Sequence, residues 1–216
     1  VATALQRTDP SLFELVLLGG AAPPEDLARN VVTTYGMTET GSGVVYDGHA
    51  LEGVELAIIE PDDEGLGEIL VRAPMLLRSY RDRPVALRAG PDGSAGWLAT
   101  GDLGRLTSDG VLEVRGRAAD VIVTGAEKVY PLDVERVIAS LPGVAEVAVW
   151  KRADSEWGER VVAWVVPDGA PPTLAVLRAA VSEALAPFAA PKELELVDSL
   201  PRTPTGKLQR GLLTER

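Results

Sequence analysis

The chain contains no cysteine, which excludes disulfides, thiolate zinc sites and a cysteine nucleophile. A single histidine, His49, leaves neither a histidine-cluster metal site nor a Ser–His–Asp triad. Nowhere do about 18 apolar residues run together, so no segment reads as a membrane span. Val1 to Pro10 lacks the basic start and apolar stretch of a signal peptide. It also lacks an initiator Met, so the chain reads as a fragment or a processed product. Positive charge is in short supply: 21 Lys and Arg face 32 Asp and Glu, a net charge of −11. A broad nucleic-acid surface, which needs a basic face, is therefore not expected. What remains is ordinary globular composition, 46% hydrophobic and 25% charged. The 216 residues suit one large domain or two small ones. The last stretch is locally basic, with Arg202, Lys207, Arg210 and Arg216 facing only Glu215 after Asp198. By charge alone it is a solvated tail.

No internal repeat or low-complexity tract is present. Phe13–Leu18 is apolar enough for a buried strand that ends at Gly19-Gly20. Pro23-Pro24 before Glu25 and Asp26 suits the first turn of a helix. Val31–Tyr35 is β-branched and predicts a second strand. Val54–Glu60 and Glu68–Arg72 predict a strand pair, as do Leu103–Thr107 and Val111–Arg115 around Ser108-Asp109-Gly110. That middle part reads as a small β-barrel or packed sheet. After Gly116 the pattern becomes α+β: a strand over Asp120–Thr124, a helix over Pro131–Leu141, strands over Val144–Trp150 and Arg160–Val166, an amphipathic helix over Thr173–Leu185, and a strand over Lys192–Val197. The expected division is 1–116, a hinge at 117–120, and 121–216.

Four segments could carry chemistry. In Tyr35-Gly36-Met37-Thr38-Glu39-Thr40-Gly41, a hydroxyl beside a carboxylate at a strand end could hold a phosphate oxygen and Mg²⁺ together; alone, such a pair is more often a plain glycine-rich loop. In Gly96–Gly104, Asp102 between glycines could accept hydrogen bonds from a ribose diol, or be a turn residue capping its own backbone. Arg117, in Gly116–Glu127, could bind a nucleotide or pair with a carboxylate. In Pro201–Arg210, two prolines and Gly206 present a loop with Lys207 at its tip, where a lone lysine is usually a solvated charge. Trp97, Trp150 and Trp164 read as packing residues, Trp157 as a turn residue, and His49 as a surface loop residue.

Taken together and in order, Tyr-Gly-x-Thr-Glu, Thr-Gly-Asp, Gly-Arg-x-x-Asp and Pro-x-Thr-x-x-Gly-Lys resemble the motifs of the adenylate-forming superfamily. That superfamily comprises acyl-CoA synthetases, aryl-CoA ligases, adenylation domains and luciferases. Gly19-Gly20-Ala21, Gly67–Val71 and Trp157–Val161 fit its flanking motifs, and the resemblance covers nearly the whole chain. It is nearest to bacterial CoA ligases of the o-succinylbenzoate or fatty/aryl-acid kind. The fold implied is α/β and α+β: a remnant of the large N-terminal domain with a β-barrel-like subdomain, then a compact α+β domain.

The resemblance implies that a carboxylic acid is activated by ATP and Mg²⁺ to an acyl-adenylate and passed to the thiol of CoA. Gly19, Gly20, Ala21 and Tyr35 would line the adenine pocket, and Thr38 would contact the α-phosphate. Glu39 would hold Mg²⁺, and Asp102 and Arg117 would bind the ribose. Lys207 would serve adenylation, where an ammonium stabilises charge developing at phosphorus. Met37, Ser42, Gly43 and Val44 would build the acyl pocket, Ala119 would be the hinge between the two half-reactions, and Gly125 and Ala126 would flank the thiol tunnel. A cytoplasmic enzyme is implied, and a homodimer is left open. Three departures stand out. The family's Ser/Thr/Gly-rich phosphate loop is absent, so the chain reads as a C-terminal portion. Ala119 stands where Asp or Lys is usual, and Ala126 where a second Gly is common. Two alternatives stay open: a non-catalytic binding module on the same fold, and a carrier-protein-loading adenylation domain.

Overall fold

The computed structural model describes residues 9–20, 27–204 and 206–213. The chain divides into two compact units, Val1–Ala118 and Ala119–Arg216. The turn expected over Pro23–Asp26 lies outside the described residues.

In the first unit a four-stranded sheet runs β1 (Val16–Gly19), β2 (Val31–Gly36), β3 (Gly43–Tyr46) and β4 (His49–Ala50). The β1/β2 pair is parallel and the other two pairs are antiparallel. The first strand is shorter than the apolar run suggests. Pro10–Leu12 form a 3-10 turn capped by the Asp9 carboxylate, so pairing starts only at Val16. His49 is exposed on β4 rather than in a loop.

A five-stranded sheet follows, from β5 (Glu55–Ile59), β6 (Gly67–Arg72), β7 (Leu87–Arg88), β8 (Trp97–Leu106) and β9 (Leu112–Arg117). Its order is β5-β6-β8-β7, and β9 lies along β8 beside β7. The two sheets share one core: Val44 and Val45 from β3 bury against Val54, Ile69, Val71 and Leu112. Trp97 is a packing residue, as expected, buried with its indole N–H donating to Ser94 Oγ.

Gly96–Gly104 is not a turn. From Trp97 on it is strand with a bulge, in which Thr100–Asp102 on β8 lie opposite Ile69 alone on β6. The Thr100 hydroxyl donates to the Ile69 carbonyl at 2.8 Å and accepts from the Asp102 N–H at 3.0 Å. Gly101 takes the left-handed conformation, φ +71°, that the extra residues require. Pairing with β6 and β9 on either side overrides the glycine content.

The second unit is one sheet covered on both faces. Its strands are β10 (Ile122–Thr124), β11 (Glu127–Val129), β12 (Val144–Asp154), β13 (Gly158–Pro167) and β14 (Glu193–Leu196). Helix α1 (Pro131–Ala139) opens with its proline and buries Val134 and Ile138, one turn apart. Helix α2 (Leu174–Ala184) is capped by Thr173, whose hydroxyl accepts from the Val176 N–H, and buries Leu177 and Val181. Along β13, Val161, Ala163 and Val165 face the helices, while Val162 and Trp164 face Leu200 and Leu213 of the C-terminal segment. Burial on both faces explains the unbroken apolar run, since each face of a strand takes alternate residues. The β10/β11 hairpin is an element that the sequence pattern does not announce.

Candidate functional site

Strand β2 ends at Gly36, and the chain turns through a 3-10 segment, Thr38–Thr40. The buried Thr40 hydroxyl holds that turn: its one proton lies between the Ser42 carbonyl at 2.7 Å and the Met37 carbonyl at 2.9 Å, and its oxygen accepts from the Met37 N–H at 3.0 Å. Gly41, φ +75°, closes it. Gly36 packs so tightly on the Ser42–Gly43 backbone that any Cβ would collide there. The result is a hollow of about 280 Å³ lined by Gly20, Thr34, Gly36, Met37, Thr38, Gly41, Ser42 and Gly43. Four of these eight are glycines, so backbone can approach a ligand closely. Thr38 stands exposed at the rim.

Glu39 sits on the same turn, where its carboxylate accepts a hydrogen bond from the Tyr80 hydroxyl at 3.0 Å. That bond to a carboxylate pushes the Tyr80 hydroxyl up from the usual tyrosine range. No group of three His, Cys, Asp or Glu that could cage a metal occurs among the described residues. A single hard carboxylate on the turn beside the hollow fits Mg²⁺, which keeps water and takes one or two carboxylates plus substrate phosphates.

The β8 bulge delivers Asp102 to a second cluster. Its two carboxylate oxygens meet the Tyr35 hydroxyl at 2.8 Å and Arg117 Nε at 2.8 Å. Asp102 is 7% exposed, whereas the Arg117 side chain is 56% exposed and also donates to the Thr100 carbonyl. Burial, then the Asp102 charge, pushes the Tyr35 hydroxyl far above the tyrosine range, so Tyr35 is a proton donor here at all ordinary pH. Thus Tyr35, Asp102 and Arg117, spread over more than half of the first unit, form one hydrogen-bonded chain. Arg117 pairs with a carboxylate, one of its two readings from sequence.

The structure therefore places Gly20, Met37, Thr38, Ser42 and Gly43 around one hollow, with Gly19 at the end of β1 and Glu39 on the adjoining turn. Val44 does not line it. It is 1% exposed in the core of the two sheets, because alternation along β3 turns it away from its neighbour Gly43. Ala21 lies outside the described residues. Thr34, Gly41 and Tyr80 escape sequence reasoning; the signal for Gly41 is a glycine closing a turn, while nothing local marks Tyr80.

In the second unit, Gly125 (φ +59°) and Ala126 (φ +71°) form the two-residue turn between β10 and β11. Both positions need positive φ, the geometry of a type I′ hairpin. Trp157, in the β12/β13 turn, covers Gly125 so closely that a Cβ there would come within 2.5 Å of the ring. Lys192 Nζ lies 4.5 Å from the Trp157 ring centre. Ala126 is the strained partner, because a left-handed L-residue with a Cβ costs roughly 1–2 kcal/mol. Ala126→Gly is therefore expected to raise stability by about 1 kcal/mol. That corresponds to roughly 4–8 °C in the melting temperature of a domain this size, measured by calorimetry. A lower melting temperature would contradict the strain argument.

Lys207 is exposed on a closed loop. The Thr203 N–H donates to the Lys207 carbonyl at 2.8 Å, the Lys207 N–H to Thr203 Oγ1 at 3.0 Å, and the Gly206 N–H to the Thr203 carbonyl at 2.8 Å. Arg202 ties the loop down, donating to the Gly206 carbonyl at 3.0 Å and pairing with Glu146 on β12 at 2.5 Å. Arg210 is held by Glu135 on α1, at 2.8 Å, and by Asp120 at 3.7 Å. The C-terminal stretch is thus not a free basic tail: two of its cations are neutralised by carboxylates distant in sequence. Ala119 is exposed in a 3-10 turn, Ala118–Asp120, where the two units meet along the chain.

The AMP-binding enzyme C-terminal domain family matches residues 133–207, a range that ends on Lys207. The chain is 42% identical to a Mycobacterium tuberculosis protein named probable 2-succinylbenzoate–CoA ligase, over 97% of this chain and 57% of that protein. It is 34% identical to the long-chain-fatty-acid–CoA ligase FadD13 of the same species, over 94% of this chain and 45% of that protein. Among solved structures, it superposes on the o-succinylbenzoate CoA synthetase MenE of Bacillus subtilis in complex with its acyl-adenylate, OSB-AMP. The TM-score is 0.81 at 34% identity, covering 98% of this chain and 48% of that one. The chain spans about half the length of the relatives it matches.

Proposed function

We propose that the chain, which is similar to adenylate-forming, AMP-binding enzymes over nearly its whole length, is the C-terminal part of an ATP-dependent carboxylic acid–CoA ligase. The observation that carries this reading is the glycine-walled hollow at the end of β2, with Thr38 on its rim and Glu39 on the same turn.

The reaction has two halves. An oxygen of the acid attacks the α-phosphorus of ATP, and the bond to pyrophosphate breaks. The sulfur of CoA then attacks the acyl carbonyl carbon, and AMP leaves with the electrons of the C–O bond. Gly19, Gly20, Ala21 and Tyr35 are assigned to adenine, and Thr38 to the α-phosphate. Arg117, with its exposed guanidinium steadied by buried Asp102, is assigned with that carboxylate to the ribose hydroxyls. Mg²⁺, when bound at Glu39, supplies charge neutralisation to the phosphates. Lys207 provides the cation for adenylation. Met37, Ser42 and Gly43 leave room for the acid, whose class we take to be aryl or fatty, 2-succinylbenzoate foremost. The Gly125–Ala126 turn flanks the thiol, and Ala119 is the hinge.

The test is acid-dependent ATP–pyrophosphate exchange by the longer ligase, with 2-succinylbenzoate, simple aryl acids and long-chain fatty acids, followed by thioester formation with CoA. Exchange with at least one of these acids is expected, and exchange with none would overturn the proposal. In the same assay Ala119→Asp should alter the ratio of the two half-reaction rates, while stability stays within about 0.5 kcal/mol, as for an exposed position. Ala126→Gly should lower KM for CoA and leave KM for ATP unchanged.

A further inference from the structure

The Glu39 carboxylate is held from a distance. Tyr80 lies 41 residues further along the chain, and its hydroxyl donates to Glu39 Oε1 at 3.0 Å. The Leu77 N–H donates to the Glu39 backbone carbonyl at 2.8 Å, so the same segment grips Glu39 at both ends. Tyr80 is itself fixed. Its N–H donates to the Arg83 carbonyl at 2.9 Å, closing a tight turn flanked by a Ser79–Pro84 bridge. The Arg83 guanidinium stacks on its ring at 4.7 Å.

A glutamate on an open rim samples many rotamers, and each must be given up when the carboxylate takes a ligand. Here one oxygen is pinned by a phenol that a second turn holds in place. We infer that Tyr80 is a positioning residue: it orients Glu39 so that the second carboxylate oxygen is presented to a divalent cation carried by the triphosphate. This rests on the assignment of Glu39 made above. Partners that orient a metal-binding carboxylate typically change metal affinity by about 10–100-fold when removed.

The experiment uses Tyr80→Phe in the longer ligase, which keeps the ring and its stacking and deletes only the hydroxyl. Mn²⁺ serves as the probe, titrated in the presence of ATP and read by electron paramagnetic resonance. Tyr80→Phe is expected to weaken Mn²⁺ binding about tenfold, with unchanged affinity for ATP in EDTA and unchanged melting temperature. Glu39→Gln should weaken Mn²⁺ binding further. Unaltered Mn²⁺ affinity in Tyr80→Phe, with a loss in Glu39→Gln, would overturn the role of Tyr80 and leave the metal assignment standing. Unaltered affinity in Glu39→Gln would overturn the assignment itself. Equal loss of metal-free ATP binding in Tyr80→Phe would show a structural role and likewise overturn the inference.

Discussion

Lys207→Ala in the longer ligase is expected to slow acyl-adenylate formation by about 10²–10³-fold, the usual loss when one preorganised donor to developing negative charge is removed. Thioester formation from supplied acyl-adenylate should change far less, because the pyrophosphate has already left. The structure gives the lysine a rigid base. Two backbone hydrogen bonds and one to the Thr203 hydroxyl close the loop from Thr203 to Lys207, and Arg202 clamps it to Glu146. Leu200 and Leu208 on either side pack onto the sheet face of Trp164. The backbone that carries the lysine is thus ordered before the substrate arrives, and only its side chain remains to be fixed. Single-turnover measurement of each half-reaction is the check, with Arg136→Ala as the charge control. The Arg136 side chain is 40% exposed and pairs at 3.3 Å with Asp133, three residues before it on the helix. Equal loss of both half-reactions in Lys207→Ala would refute the role.

Arg210→Ala should behave quite differently. Sequence alone makes this residue a mild neighbour of Lys207, a suitable charge control. The structure corrects that. Its side chain is 17% exposed, and one nitrogen lies 2.8 Å from both oxygens of Glu135, itself 13% exposed. Removing one partner of such a pair leaves the other buried and uncompensated, at a cost of about 3–5 kcal/mol. Denaturant unfolding of Arg210→Ala should show that loss. The double variant Arg210→Met with Glu135→Met should recover most of it, since apolar replacement of a buried pair is often close to neutral. A loss under about 1 kcal/mol would mean that solvent reaches the pair.

The pH dependence follows from the same geometry. Burial raises the Glu135 carboxyl above its ordinary value of 4.5, and Arg210 opposes that rise. Without Arg210 the folded-state pKa climbs further. A carboxyl with a raised folded pKa binds its proton more readily in the native state than in the unfolded one, so stability falls as pH rises between the two values. The deficit of Arg210→Ala should thus shrink on acidification towards pH 4.5.

Local chemistry was enough for much of this molecule. Proline and threonine before Gly206, φ +86°, announce the lysine loop, because turn geometry depends on residues next to one another. The helical spacing of α1 and α2 and the strand character of β2, β12 and β13 are periodicities within single segments. The order of the four motifs was likewise enough to point to the enzymes that the chain is similar to. Other features needed the folded chain. Ala126 hides a positive-φ turn, because alanine rarely adopts that conformation and only the β10/β11 pairing forces it. Thr100-Gly101-Asp102 looks like a turn and is a bulge, since neighbouring strands supply the backbone partners that the glycines lack.

Tyr80 meets Glu39, and Arg210 meets Glu135, across 41 and 75 residues. No periodicity encodes such pairs. What the sequence determined was therefore most of the single elements, the resemblance to a family, and a set of candidate residues. Tertiary structure alone decided which of those side chains are held by a distant partner and which stand open to a ligand. A charge's neighbours in space are chosen by how sheets and helices stack, not by its neighbours along the chain.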